Sequence, residues 1–110
     1  MNLTSKKCIP CEVGGEPLSD SEENKYLVEA SDWQIDRSGT HKIAREFKFK
    51  DFKEAMAFVD KVAGIAESEG HHPDIYIYYN KVRMELYSHA VGGLSENDFI
   101  VAAKISAVEM

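Results

Sequence analysis

Cysteine is scarce in this chain: Cys8 and Cys11 are the only two among 110 residues. A disulfide-stapled secreted scaffold is therefore excluded, and no second Cys pair follows to complete a zinc ribbon. Basic charge is in deficit as well. Thirteen Lys and Arg against nineteen Asp and Glu leave a net charge of −6, which argues against a broad nucleic-acid or anionic-membrane surface. No apolar run of eighteen residues occurs, nor an apolar segment behind a basic N-terminus, so neither a transmembrane helix nor a signal peptide is expected. A cytoplasmic protein with a small or neutral partner is the expectation. Hydrophobic residues are not lacking, at 44% against 29% charged, so one domain with a real core is implied.

Residues 1–17 carry Pro10, Gly14, Gly15 and Pro17 without periodicity and read as an extended or disordered lead-in; 18–110 read as the domain. Cys8-Ile-Pro-Cys11 suggests a redox dithiol or half a zinc knuckle, but no thioredoxin-like strand–helix pattern surrounds it, and a reduced pair on the lead-in is the simpler reading. Ser19-Asp-Ser-Glu22 has capping-box spacing and starts a helix to about Ala30, with Tyr26 and Leu27 inward. Trp33–Arg37 and Lys42–Lys50 then form a hairpin through Ser38-Gly39-Thr40, with Ile43, Phe47 and Phe49 inward and Arg45 laying its stem along the core edge, its head in water. From Asp51 the period changes. Phe52, Ala55, Met56, Val59, Val62, Ala63 and Ala66 recur at three and four, an amphipathic helix that Gly70 stops.

A second hairpin follows, Ile75–Tyr79 and Val82–Ser88, with Asn80-Lys81 as its turn. Setting Tyr79 opposite Val82 puts Ile77 against Met84 and Ile75 against Leu86 on one apolar face, and carried to the open end it sets His72 opposite His89. Tyr76, Tyr78 and Tyr87 fall on the outer face and hint at self-association. Ser95 caps a last helix to about Val108, with Asp98 at its third position and Leu94 stapling onto Phe99. The order α-β-β-α-β-β-α implies an α+β fold: a four-stranded antiparallel sheet with helices on one face.

Three of the four histidines gather at the junctions of these elements, His71 and His72 after the long helix and His89 after the second hairpin. Imidazole titrates near 6.5 in an unperturbed peptide and both gives and takes protons, so acid–base chemistry is expected here. Glu67, one turn before His71, is placed to hold its imidazole; Asp98 is placed to do the same for His89, besides capping its helix. Rival readings are surface histidines without function and a three-histidine zinc site, the latter opposed by the divergent directions of adjacent residues. No Ser or Cys sits in a nucleophile motif.

The combination His71-His72-Pro73-Asp74, Tyr79-Asn80-Lys81-Val82, Ser88-His89 and Gly93-Leu94-Ser95-x-x-Asp98, with Arg45-x-Phe47-x-Phe49 before Asp51-Phe52, resembles the pterin-4a-carbinolamine dehydratases. The resemblance runs from about Leu18 to the C-terminus. It implies loss of water from 4a-hydroxytetrahydropterin to give quinonoid dihydropterin, recycling the cofactor of aromatic amino-acid hydroxylases, with no cofactor or metal. By it, His71 and His89 exchange protons with N5 and the 4a-hydroxyl, His72 positions the ring, and Glu67, Pro73, Asp74 and Asp98 support the site. It also implies a homodimer or homotetramer. A non-catalytic alternative is a dimerisation module of the transcription-coactivator type, as animal relatives serve a homeodomain factor. The chain departs from relatives at Gly70, where Asn or Asp is common, at Ile75, where animal members have Trp, and at Ser88, where Thr is usual.

Overall fold

The computed structural model describes residues 3–8 and 15–108. Ser19 caps α1 (Asp20–Leu27) with a complete capping box, and a turn of 3-10 helix carries the chain on to Ala30. Strands β1 (Gln34–Asp36) and β2 (Lys42–Lys48) lead to α2 (Phe52–Glu69); β3 (Asp74–Tyr78) and β4 (Lys81–Leu86) lead to α3 (Glu96–Val108). The expected element order and α+β class therefore hold. All pairings are antiparallel, in the order β1-β2-β4-β3, so β4 is central and β3 is an edge.

The inner face of the sheet presents Ile43, Phe47, Val82, Met84 and Leu86, each no more than 1% exposed. Against it pack Ala55, Phe58, Val62 and Ala66 of α2 and an almost wholly buried α3, in which Phe99 to Ala103 and Ile105 are all core. Trp33 is core too, edge-on to Phe47 with its indole N–H on Ser106 Oγ at 3.0 Å. Three details differ from expectation. Phe52 is 48% exposed and Ala63 is also outside, because the buried stripe of α2 is centred on Ala55, Val62 and Ala66, and at about 100° per residue both lie on its flank. The Arg45 head does not reach open water: it lies 4.4 Å over the Phe47 ring and donates to Ser106 Oγ at 2.9 Å. Within the expected lead-in, Leu3–Ser5 form a 3-10 turn whose Leu3 is buried in the core.

The second hairpin is the more instructive difference. Its loop is Tyr79-Asn80 and its register sets Ile77 against Val82 and Ile75 against Met84, two positions from the expected pairing. Both registers keep the same residues on the apolar face, since side chains alternate with period two, so the pattern alone does not separate them. Asn80 decides it. Its carbonyl accepts from Phe49 N at 2.8 Å and its amide donates to Phe49 O at 3.1 Å, clamping it in the loop beside the end of β2.

Candidate active site

Gly70 ends α2 in the left-handed region at φ 65°, where an L side chain is strained. The reversal sends the next two side chains apart: His71 turns inward, 15% exposed, while His72 turns outward, 57% exposed. Across from them β4 ends and Ser88 is locked in place, its amide on Gly93 O at 2.7 Å and the Gly92 amide on its carbonyl at 3.0 Å. That tight loop passes against Pro17, and a Cβ on Gly93 would sit 2.8 Å from the Pro17 Cβ. His89 follows, exposed, its ring 4.3 Å from that of Tyr87.

A cavity of about 610 Å³ opens between these pieces, and His71, His72, Pro73, Asp74 and His89 all line it, with Tyr87, Ser88 and Asn97. The three histidines thus reach one space, although His72 does not face His89: the observed register brings residue 72 level with Tyr87. The carboxylates are also exchanged relative to expectation. Asp98, fully buried behind the cavity wall, pairs with His71, not His89, its Oδ1 2.6 Å from Nε2. Glu67 pairs with His72, not His71, its Oε2 2.5 Å from Nε2, and does not itself line the cavity. The reason is the left-handed Gly70, which ends the helical spacing on which a Glu67–His71 pairing depended.

Asp98 is the centre of the polar network. Its Oδ2 accepts from Ser88 Oγ at 2.8 Å and from the Ser95 amide at 2.9 Å, the second bond being the helix cap. One carboxylate therefore joins the start of α3, the end of β4 and the imidazole after α2. Ser88, which pattern reading marked only as a motif residue, is a structural partner in this network. Its signal was present in the sequence as a polar residue directly after a buried strand, where a hydroxyl needs a partner.

The far wall carries Cys8, whose amide donates to Glu69 Oε1 at 2.9 Å and whose Sγ donates to Asn97 O at 3.6 Å. Burial, then the nearby Glu69 carboxylate, pushes its thiol up to about 12, which makes it a poor nucleophile. Glu69 in turn is held below the usual carboxylate range by the Lys104 ammonium at 2.6 Å and by the Cys8 amide. Cys11 lies outside the described residues, so the dithiol reading has no geometry. The fourth histidine, His41, stands apart: its Nδ1 is 2.8 Å from the buried Glu23, which also accepts from Arg37 Nε at 2.9 Å. Asp20, Glu23 and His41 bring donor atoms together, but the Arg37 guanidinium already bonds that carboxylate.

A cavity at the junction of an antiparallel sheet and its helices, lined by three imidazoles of which two pair with carboxylates, is the candidate site of this α+β domain. The chain belongs to the pterin 4 alpha carbinolamine dehydratase family, whose sequence model matches residues 16–108. A relative from Alkaliphilus metalliredigens, which carries that dehydratase name provisionally, is 45% identical over 105 residues, 94% of this chain and 93% of its own. Another from Halorhodospira halophila, named in the same way, is 41% identical over 108 residues, 98% of each chain. Among solved structures, a transcriptional coactivator/pterin dehydratase from Brucella melitensis superposes with a TM-score of 0.78 at 37% identity, covering 84% of this chain and 97% of that one. A pterin dehydratase-like RuBisCO assembly factor of the alpha-carboxysome shares the fold at a TM-score of 0.59 and 24% identity, covering 68% and 86%. Among the described residues no helix is long and apolar enough to cross a membrane.

Proposed function

We propose that this chain catalyses the dehydration of 4a-hydroxytetrahydropterins to quinonoid dihydropterins by histidine general acid–base catalysis. The observation that carries the reading is one cavity lined by three imidazoles, of which His71 is held by a fully buried carboxylate. In the elimination the N5–H proton leaves, its electron pair forms the C4a=N5 double bond, and the C4a–O bond breaks as the oxygen is protonated and departs as water. One group must accept a proton and another must supply one. Asp98 accepts from Ser88, from the Ser95 amide and from His71 Nε2–H, which leaves His71 Nδ1 as its basic nitrogen. His71 and His89 then serve as the proton-transfer pair, while His72, steadied by Glu67, helps hold the ring with Pro73 and Asp74. The chemistry calls for neither a metal nor an organic cofactor. Recycling of the cofactor of an aromatic amino-acid hydroxylase in the cytoplasm is the setting we assign to it.

The protein would work as a homodimer or homotetramer. The support is edge strand β3 and its loop, where Tyr76, Ile77, Tyr78 and Tyr79 are 39–67% exposed.

Stopped-flow dehydration of chemically prepared 4a-hydroxytetrahydropterin tests the reading. Acceleration by the native chain that falls roughly 10²-fold or more in His71→Ala and in His89→Ala is expected; a native rate no greater than that of buffer overturns it. The coactivator half of the Brucella melitensis protein's name favours one second reading, a non-catalytic interaction module. Capture of a specific partner that is unaffected by His89→Ala, together with a native rate equal to buffer, would establish that role instead.

A further inference from the structure

The three imidazoles of the cavity are not held alike. His71 has the buried Asp98 and His72 has Glu67, each through Nε2. His89 has no such partner: no described residue hydrogen-bonds or ion-pairs with its imidazole. Its neighbour is the Tyr87 ring, with centroids 4.3 Å apart and planes tilted by 45°. The local backbone brings the two rings together. Ser88 between them is extended, at φ −109° and ψ 106°, and on extended backbone alternate side chains share a side. Ser88 therefore points inward, 3% exposed, to Asp98 Oδ2, while Tyr87 and His89 point together to the cavity, which both line. Tyr87 is accordingly half-buried, whereas Tyr76 and Tyr78, expected with it on the outer face, are 40% and 57% exposed.

The backbone on both sides of this pair is fixed. Ser88 bonds to Gly92 and Gly93, and the His89 carbonyl accepts from the Gly92 amide at 3.3 Å. The Cα of His89 thus has a set place. What remains free is rotation of the imidazole about its side-chain bonds, among staggered wells that put its nitrogens at different points of the cavity. A proton-transfer group acts only with its nitrogen within hydrogen-bond reach of the reacting atom, so one orientation has to be selected. At His71 a carboxylate does this. At His89 the aromatic face does it, since tilted ring pairs attract beyond the area they bury. The phenol oxygen is not what holds the contact, as no described residue hydrogen-bonds the Tyr87 hydroxyl. A ring partner also leaves both imidazole nitrogens open, one for substrate and one for proton exchange with water, which a carboxylate partner would not.

We propose that Tyr87 is a positioning residue of the dehydration site, its ring face selecting the imidazole orientation in which His89 transfers a proton. The proposal rests on the dehydratase reading for what that orientation serves. An aromatic pair biases one orientation over the others by roughly 2- to 10-fold, so kcat in stopped-flow dehydration should fall by about that factor in Tyr87→Leu, with KM unchanged. Tyr87→Phe, which keeps the ring, should restore it. In the His89→Ala background Tyr87→Leu should cost nothing further, because the residue it acts through is gone. Aromatic NMR supplies a readout apart from activity. The imidazole C–H resonances of His89, assigned by their absence in His89→Ala, should move in Tyr87→Leu and stay near their native positions in Tyr87→Phe. Tyr87→Val is a second ring-free variant that serves if leucine disturbs the turn. Native kcat in both ring-free variants, an equal loss in the His89→Ala background, or a rise in KM alone would overturn the proposal, the last by showing that Tyr87 touches the pterin itself. Resonances that move as expected in a chain no faster than buffer would keep the ring contact and remove the dehydratase. Fast native dehydration with resonances and kcat indifferent to Tyr87→Leu would do the reverse.

Discussion

At the scale of single residues, Asp98 has the widest consequences. It is fully buried, and three donors from three elements converge on its two oxygens. Asp98→Ala strands all three donors and should cost about 3 kcal/mol in chemical unfolding, by the penalty for unpaired buried polar groups. Asp98→Asn keeps an oxygen for some of them and should cost about half as much, yet its NH₂ cannot accept from His71. Dehydration should therefore fall roughly 10²-fold in Asp98→Asn while the fold survives. A stable Asp98→Asn protein with native kcat would show that the carboxylate only caps α3. Glu67 is the contrast. Its pair with His72 is solvent-exposed on both sides, where such pairs contribute little to stability, so any effect of Glu67 on the site is one of orientation.

At the scale of elements, the β3–β4 hairpin shows how a local turn can override a pattern. Tyr79 takes φ 54° in the two-residue loop, the only residue other than glycine with positive φ among those described. Its ring is 67% exposed, so little packing offsets the strain. Tyr79→Gly should raise stability by about 0.5–1 kcal/mol in urea unfolding, less whatever the exposed ring gains in an oligomer. Destabilisation at concentrations where the chain is monomeric would mean that the tyrosine ring holds the loop through packing. The hairpin matters to the site because its register sets where β4 ends, and hence where Ser88 and His89 stand.

At the scale of the whole molecule, acid stability follows from carboxylates that join distant parts of the chain. Glu69 is held low by Lys104 and the Cys8 amide, and Glu96 by Lys6 and Tyr26 in spite of partial burial. Burial would raise the Glu85 carboxyl, but hydrogen bonds from Lys42 and Arg83 outweigh this and hold it low. Each has a folded pKa below its unfolded value of about 4.5, so each contributes stability that is complete above that value and is lost as pH falls through the lower folded values. Thermal melts should show a plateau above about pH 5 and a decline below about 4.5, and Glu69→Gln should lower the plateau and flatten the decline. A decline of unchanged steepness in that variant would remove Glu69 from this account. The same bonds bind the N-terminal residues to the domain, with Lys6 on Glu96 and Cys8 on Glu69 across more than sixty positions of sequence.

The order of elements, the inward faces of strands and helices and the three histidines as a group were legible in the sequence, because they rest on local periodicity and caps that act over a few residues. Capping at Ser19, the stop at Gly70 and the burial of Leu94 and Phe99 are of this kind. What only the tertiary structure decided were relations between segments far apart. A slip of two residues leaves every side chain on its face, so the hairpin register had to be set by Asn80 against Phe49. The partner of each histidine depended on the chain direction after a left-handed glycine, which turned Asp98 toward His71 and Glu67 toward His72. The burial of Leu3 and the cavity wall at Cys8 come from a segment with no periodicity of its own. Periodicity reports which side of an element is buried; which residue meets which across the core is fixed by packing in three dimensions.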